Sequence, residues 1–140
     1  MKEKLPELWL NYSMDDLKSA KVLLKENIVN MVCFHSQQAV EKLFKAYIAS
    51  HSLEIPKTHN LIRLQAICED LAGGEFDIDT EQIIFLNDVY IDSRYPADFG
   101  LLSSGKPGTE DAERAYDAAV KIDSFLRPII RNQIMTAKRI

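Results

Sequence analysis

Apolar residues recur at a helical period along most of the chain. Leu10, Met14, Leu17, Ala20 and Leu24, with Lys21 in register, predict a first helix over about residues 7–26. Pro6 suits its first turn and Asn27 ends it. A second helix is expected over about 30–50, broken by Leu53-Glu54-Ile55-Pro56 because a proline disfavours helix in the residue before it. Leu61, Leu64, Ile67, Cys68 and Leu71 form a third, with Thr58 as its cap and Gly73-Gly74 as its stop. Thr80 is the expected cap of a fourth, with Glu81 complementing the helix dipole. Its run IIFLNDVYI is apolar nearly all round, which predicts a place in the middle of a bundle, and Pro96 ends it. The fifth starts near Thr109 and carries Ala112, Ala115, Tyr116, Ala119, Ile122 and Leu126 at helical spacing, with Pro128 expected to kink or end it.

Short connections between five helices predict an all-α fold, a single five-helix antiparallel up-and-down bundle over residues 1–140. Residues 127–140 are expected to form a basic C-terminal extension. The one long connection, PADFGLLSSGKPG, is rich in Gly, Ser and Pro. No internal repeat or second domain is evident.

The 140 residues are 46% hydrophobic and 27% charged, the balance of a globular domain with a sizeable core. No apolar run approaches the roughly 20 residues of a membrane span, and MKEKLPELW lacks the apolar stretch of a signal peptide. A cytoplasmic location is expected. Cys33 and Cys68 fall at core positions without a CxxC spacing, which predicts buried reduced thiols. The net charge of −4 argues against a general grip on nucleic acid. Its distribution is uneven. No Lys or Arg occurs between Arg63 and Arg94, where Glu69, Asp70, Glu75, Asp77, Asp79, Glu81, Asp88 and Asp92 lie. By contrast, Arg127, Arg131, Lys138 and Arg139 close the chain without an acid among them. They suit either an acidic partner or a helix C-terminus.

Three groups of residues carry candidate chemistry. On the second helix Gln38, Glu41, Lys42 and Lys45 project onto one arc of about 100°, opposite Val32, Cys33, Ala39, Val40, Leu43, Phe44 and Tyr47. They are either a solvated face with a Glu41/Lys45 pair or the wall of a groove. At the start of the third helix, Lys57, Thr58 and His59 beside unpaired amides could hold a phosphate; otherwise Thr58 caps and His59 satisfies a carbonyl. On the fourth, Asn87 and Arg94 share a stripe with Ile83 and Tyr90, so Arg94 either binds phosphate or salt-bridges an acid such as Glu41. His35, His51 and His59 have no metal-ligand spacing, and neither GxxxxGK[ST] nor GxGxxG occurs, so no metal and no cofactor are expected.

The Gln38-Ala39-Val40-Glu41-Lys42 run, His59 after the Pro56 turn, and Arg94-Tyr95-Pro96 with Asp98 resemble the HEPN family of small helical domains. The resemblance implies a groove lined by the second-helix motif, and homodimers formed through helices. It also implies a minimal nucleotidyltransferase partner in a two-component system of toxin–antitoxin type, with a nucleotide or RNA as further ligands. Many members are metal-independent ribonucleases with an Arg followed after four to six residues by a His. No Arg precedes any His here, since His59 is the last histidine and Arg63 the first arginine. The expected function is therefore a noncatalytic module that binds a nucleotide or a nucleotidyltransferase partner through Gln38, Glu41, Lys42, Lys45, His59, Asn87, Arg94 and Tyr95. The alternative is a ribonuclease with a non-standard site built from His59 and Arg94.

Overall fold

The computed structural model describes residues 5–74, 76–94 and 106–138, and the side chains of residues 92–94 lie outside that description. Five helices make up the described architecture, α1 (Leu5–Lys25), α2 (Val29–Ser50), α3 (Leu61–Ala72), α4 (Thr80–Arg94) and α5 (Thr109–Lys138), with no strand among the described residues. The all-α bundle that the periodicity predicts is what forms.

α1 and α2 make an antiparallel hairpin. Asn27, at φ 55°, closes α1, with the amides of Asn27 and Ile28 donating to the carbonyls of Leu24 and Leu23. The hairpin is held along its length by Ser13 donating to the Ala39 carbonyl and by Asp16 facing His35 and Lys42. From the C-terminus of α2 the connection 51–60 returns alongside that helix, so α3 begins beside Gln37 and reaches Phe44 at Cys68. Gly73 (φ 85°) ends α3 in the left-handed conformation, its amide and that of Gly74 donating to Asp70 and Glu69.

The middle of the bundle belongs to α2 rather than to α4. Helix α2 packs against all four others, and from Ala39 to Ala49 only Lys42 is not buried. In α4, Ile83, Leu86 and Val89 are buried but Ile84 is 41% exposed, so its apolar run covers one side of the bundle. The core gathers Val32, Val40, Leu43 and Phe44 of α2 with Leu61 and Leu64 of α3 and Ile122, Leu126 and Ile130 of α5.

Two of the expected caps move. Asn60, not Thr58, caps α3, its Oδ1 accepting from the amides of Ile62 (2.9 Å) and Arg63 (3.3 Å). Thr58 accepts from the Asn60 amide, a turn that presents the capping residue. Asp79 takes the place of Thr80 at α4, accepting from the Glu81 amide at 3.0 Å. Nor does α5 end at Pro128; it continues unbroken to Lys138. A proline inside a helix costs about 3 kcal/mol. Here it lies on the exposed side while buried Leu126, Ile130 and Ile134 hold the helix on either side of it.

Candidate functional site

Two residues of the polar stripe of α2, Glu41 and Lys45, are buried, and they pair with each other. Glu41 is 3% exposed and Lys45 7%, which removes the reading as a solvated surface pair. Lys45 Nζ donates to Glu41 Oε2 at 3.0 Å and lies 5.5 Å from the centre of the Trp9 ring. Glu41 Oε1 accepts from the amides of Gln37 and Gln38, each at 3.4 Å, and Gln38 also donates to Gln37 Oε1 at 2.8 Å. His59 Nδ1 lies 3.1 and 3.2 Å from the two carboxylate oxygens. The carboxylate meets the ring through Nδ1, so Nε2 is the ring nitrogen turned from it. The histidine side chain is 68% exposed.

Gln37 joins the connection 51–60 to this cluster by donating to the His59 carbonyl at 3.2 Å. The carbonyl of His59 is thus an acceptor, while its ring answers Glu41 rather than a main-chain oxygen. Gln37 is fully buried and was not among the residues expected from sequence, though it neighbours Gln38 in the motif.

A second carboxylate, carried by α1, repeats the arrangement against α2. Asp16 of α1, 7% exposed, takes His35 Nδ1 on Oδ1 at 2.8 Å and Lys42 Nζ on Oδ2. His35 meets the edge of Phe34, which stacks on Tyr90 of α4 at 5.9 Å. Lys42 is therefore committed to α1. His35 and Lys42 stand seven residues apart on one face of α2, but the acid that joins them comes from α1, so no spacing within α2 marks it.

The start of α3 offers no phosphate cradle. Its amides are already partnered, Leu61 to Asn87 Oδ1 at 3.1 Å, Ile62 and Arg63 to Asn60, and Leu64 to the Asn60 carbonyl. Asn87 thus ties α4 to α3 rather than projecting into a groove. Arg94 ends α4, but its side chain lies outside the described residues, as do Tyr95, Pro96 and Asp98 and most of the long connection.

Cys33 and Cys68 are buried, as their positions predict. Burial, and then the Glu69 carboxylate, push the Cys68 thiol up, so it is no nucleophile. Among the described residues no group of three or more His, Cys, Asp or Glu could hold a metal ion. No described helix is long and apolar enough to cross a membrane.

The arrangement of a central α2 bearing the Gln-x-x-Glu-Lys run, with the connection 51–60 returning a histidine to it, meets a direct match over most of its length. The model of the HEPN domain matches residues 6–129. The chain belongs to the HEPN family. Its fold is similar to that of the protein TT1696 from Thermus thermophilus, with a TM-score of 0.69 and 26% identity over 88% of this chain and 96% of that one. It is also similar to ST0689, an archaeal HEPN homologue, with a TM-score of 0.66 and 23% identity over 89% of this chain and 97% of that one. No curated protein matches the sequence significantly.

Proposed function

We propose that this HEPN chain is a noncatalytic module that works by binding a protein partner, a minimal nucleotidyltransferase in a two-component system of toxin–antitoxin type. The observation that carries this reading is that the charged groups of the HEPN motif are already satisfied within the fold. Glu41 is fully engaged by Lys45, His59, Gln37 and Gln38, and Lys42 by Asp16. A nucleotide phosphate needs uncommitted cations or amides, and both lysines of the α2 stripe and the first amides of α3 are already partnered. The missing Arg-to-His order removes the usual ribonuclease chemistry. Homodimers built through helices fit the same reading.

Mixing the purified chain with a purified minimal nucleotidyltransferase and measuring mass by light scattering tests it. A complex of defined stoichiometry is expected, with the free chain running as a dimer. Calorimetric titration with nucleoside mono-, di- and triphosphates is expected to give no saturable heat. Saturable binding weakened by Lys42→Ala and Arg94→Ala would replace the protein partner with a nucleotide.

One observation favours a second reading, a metal-independent ribonuclease. The exposed His59 ring, oriented by Glu41 through Nδ1, presents Nε2 as a base. RNA cleavage lost in His59→Ala and in Arg94→Ala, with folding intact, would establish it.

A further inference from the structure

Between the N-terminal half of α1 and the end of α5 lies a groove of about 340 Å³, remote in sequence from the HEPN motif. Leu10, Ile134 and Met135 supply its apolar surface, and Met135 is 57% exposed. An exposed thioether on a helix is a flexible contact that adapts to a partner's side chains. Three cations line the groove, Arg127, Arg131 and Lys138, against one acid, Glu7.

The cations are not equivalent. Arg127 is buried and braces the two walls, Nε on Asp123 at 2.8 Å, Nη1 on the Leu10 carbonyl at 3.1 Å and Nη2 on Ser13 Oγ at 3.3 Å. It sets the spacing of α1 and α5 in advance, so an occupant meets a preformed site. Lys138 pairs with Glu7 across the rim at 2.9 Å, and its side chain, 60% exposed, stays open to a competing carboxylate. Arg131 is exposed and has no ion pair among the described residues. No acid occurs from Arg127 to Lys138, in a chain whose net charge is −4.

An apolar floor between two helices with a cationic rim matches an amphipathic helix whose polar face is acidic. We propose that this groove docks an acidic amphipathic helix of a partner protein. The proposal deepens the binding reading above by giving it a surface. RNA is the poorer match, because affinity for a polyanion grows with the number of phosphates neutralised, and Arg131 is the one groove cation without a described partner.

The test is a nuclear magnetic resonance titration of the isotope-labelled full chain with a synthetic amphipathic Leu/Glu helix, its Leu/Lys counterpart and a single-stranded RNA. Support consists of shifts at the amides of Leu10, Asn11, Ile134 and Met135 with the Leu/Glu peptide only. Arg131→Glu and Met135→Glu are then each expected to weaken binding at least about tenfold. Both positions are exposed, so unchanged melting of the variants checks folding. Equal binding of the Leu/Lys peptide, shifts elsewhere, insensitivity to both variants, no binding, or displacement by RNA overturns it. Because the probe is a peptide, the result stands apart from whether a nucleotidyltransferase binds.

Discussion

Glu41 and Asp16 are buried carboxylates that each hold one lysine and one histidine, yet they do different work. Glu41 finds its lysine one turn along the same helix and its histidine on the connection 51–60. Asp16 reaches from α1 to both of its partners on α2. Lys45 is enclosed, whereas Lys42 and His35 remain about a quarter open at 23% each, and His59 is largely open. The Asp16 cluster is a clasp between two helices with its lysine and histidine within reach of water. The Glu41 cluster encloses a lysine and displays a histidine. Burial of the partner cation, more than burial of the acid, separates the two.

That difference predicts the largest effect. Glu41→Ala strands the Lys45 ammonium in the interior, and breaking a buried pair from one side costs about 3–5 kcal/mol. Urea unfolding should show that loss. Adding Lys45→Met to Glu41→Leu should recover most of it, because the stranded charge is removed with its partner. A loss below about 1 kcal/mol in Glu41→Ala would mean that Lys45 reaches water after all.

Asp16→Ala sharpens the contrast at a smaller scale. Lys42 can extend its stem along the surface and hydrate its ammonium, and the partly open His35 ring can turn to water. Loss of the clasp is expected to cost about 1–2 kcal/mol by urea unfolding. A cost equal to that of Glu41→Ala would erase the distinction between a clasp and an enclosed pair.

The same contrast explains what the sequence could and could not convey. Helix number, the stop at Asn27, the Gly73-Gly74 terminus and the core identity of Leu61, Leu64 and Cys68 follow from local period and capping chemistry, which neighbours in the chain decide. The burial of Glu41 and Lys45 does not, since a Glu and a Lys at i,i+4 read equally as a surface pair. Only the packing of α1 and the connection 51–60 over α2 encloses them. The contact of Asp16 with His35 is hidden for the same reason, because the two lie nineteen residues apart on different helices. Asn60 displaced Thr58 as the cap because both types accept from amides and the tertiary tie of Asn87 to Leu61 fixes where α3 begins. Pro128 misled because a local rule was outweighed by Arg127 and Leu126 anchoring one side and Ile130 the other.

His51 provides the comparison with no carboxylate at all. It caps α2, its ring packs on Tyr47 with centroids 4.7 Å apart, and its buried Nε2 has no hydrogen-bond partner. Burial lowers its pKa below the usual 6.5. A base lowered in this way binds fewer protons folded than unfolded, so its contribution is full above pH 6.5 and is lost as the pH falls through that value towards the folded pKa. His51→Phe keeps the ring contact and removes the titration. Between pH 7 and pH 5, roughly the range in which an ordinary histidine gains its proton, the variant should therefore lose less stability than the parent. The effect is the smallest of the three, because this imidazole is only partly removed from water. Parallel pH curves for parent and variant would show that the His51 ring is hydrated in both states and that its packing on Tyr47 leaves its protonation untouched.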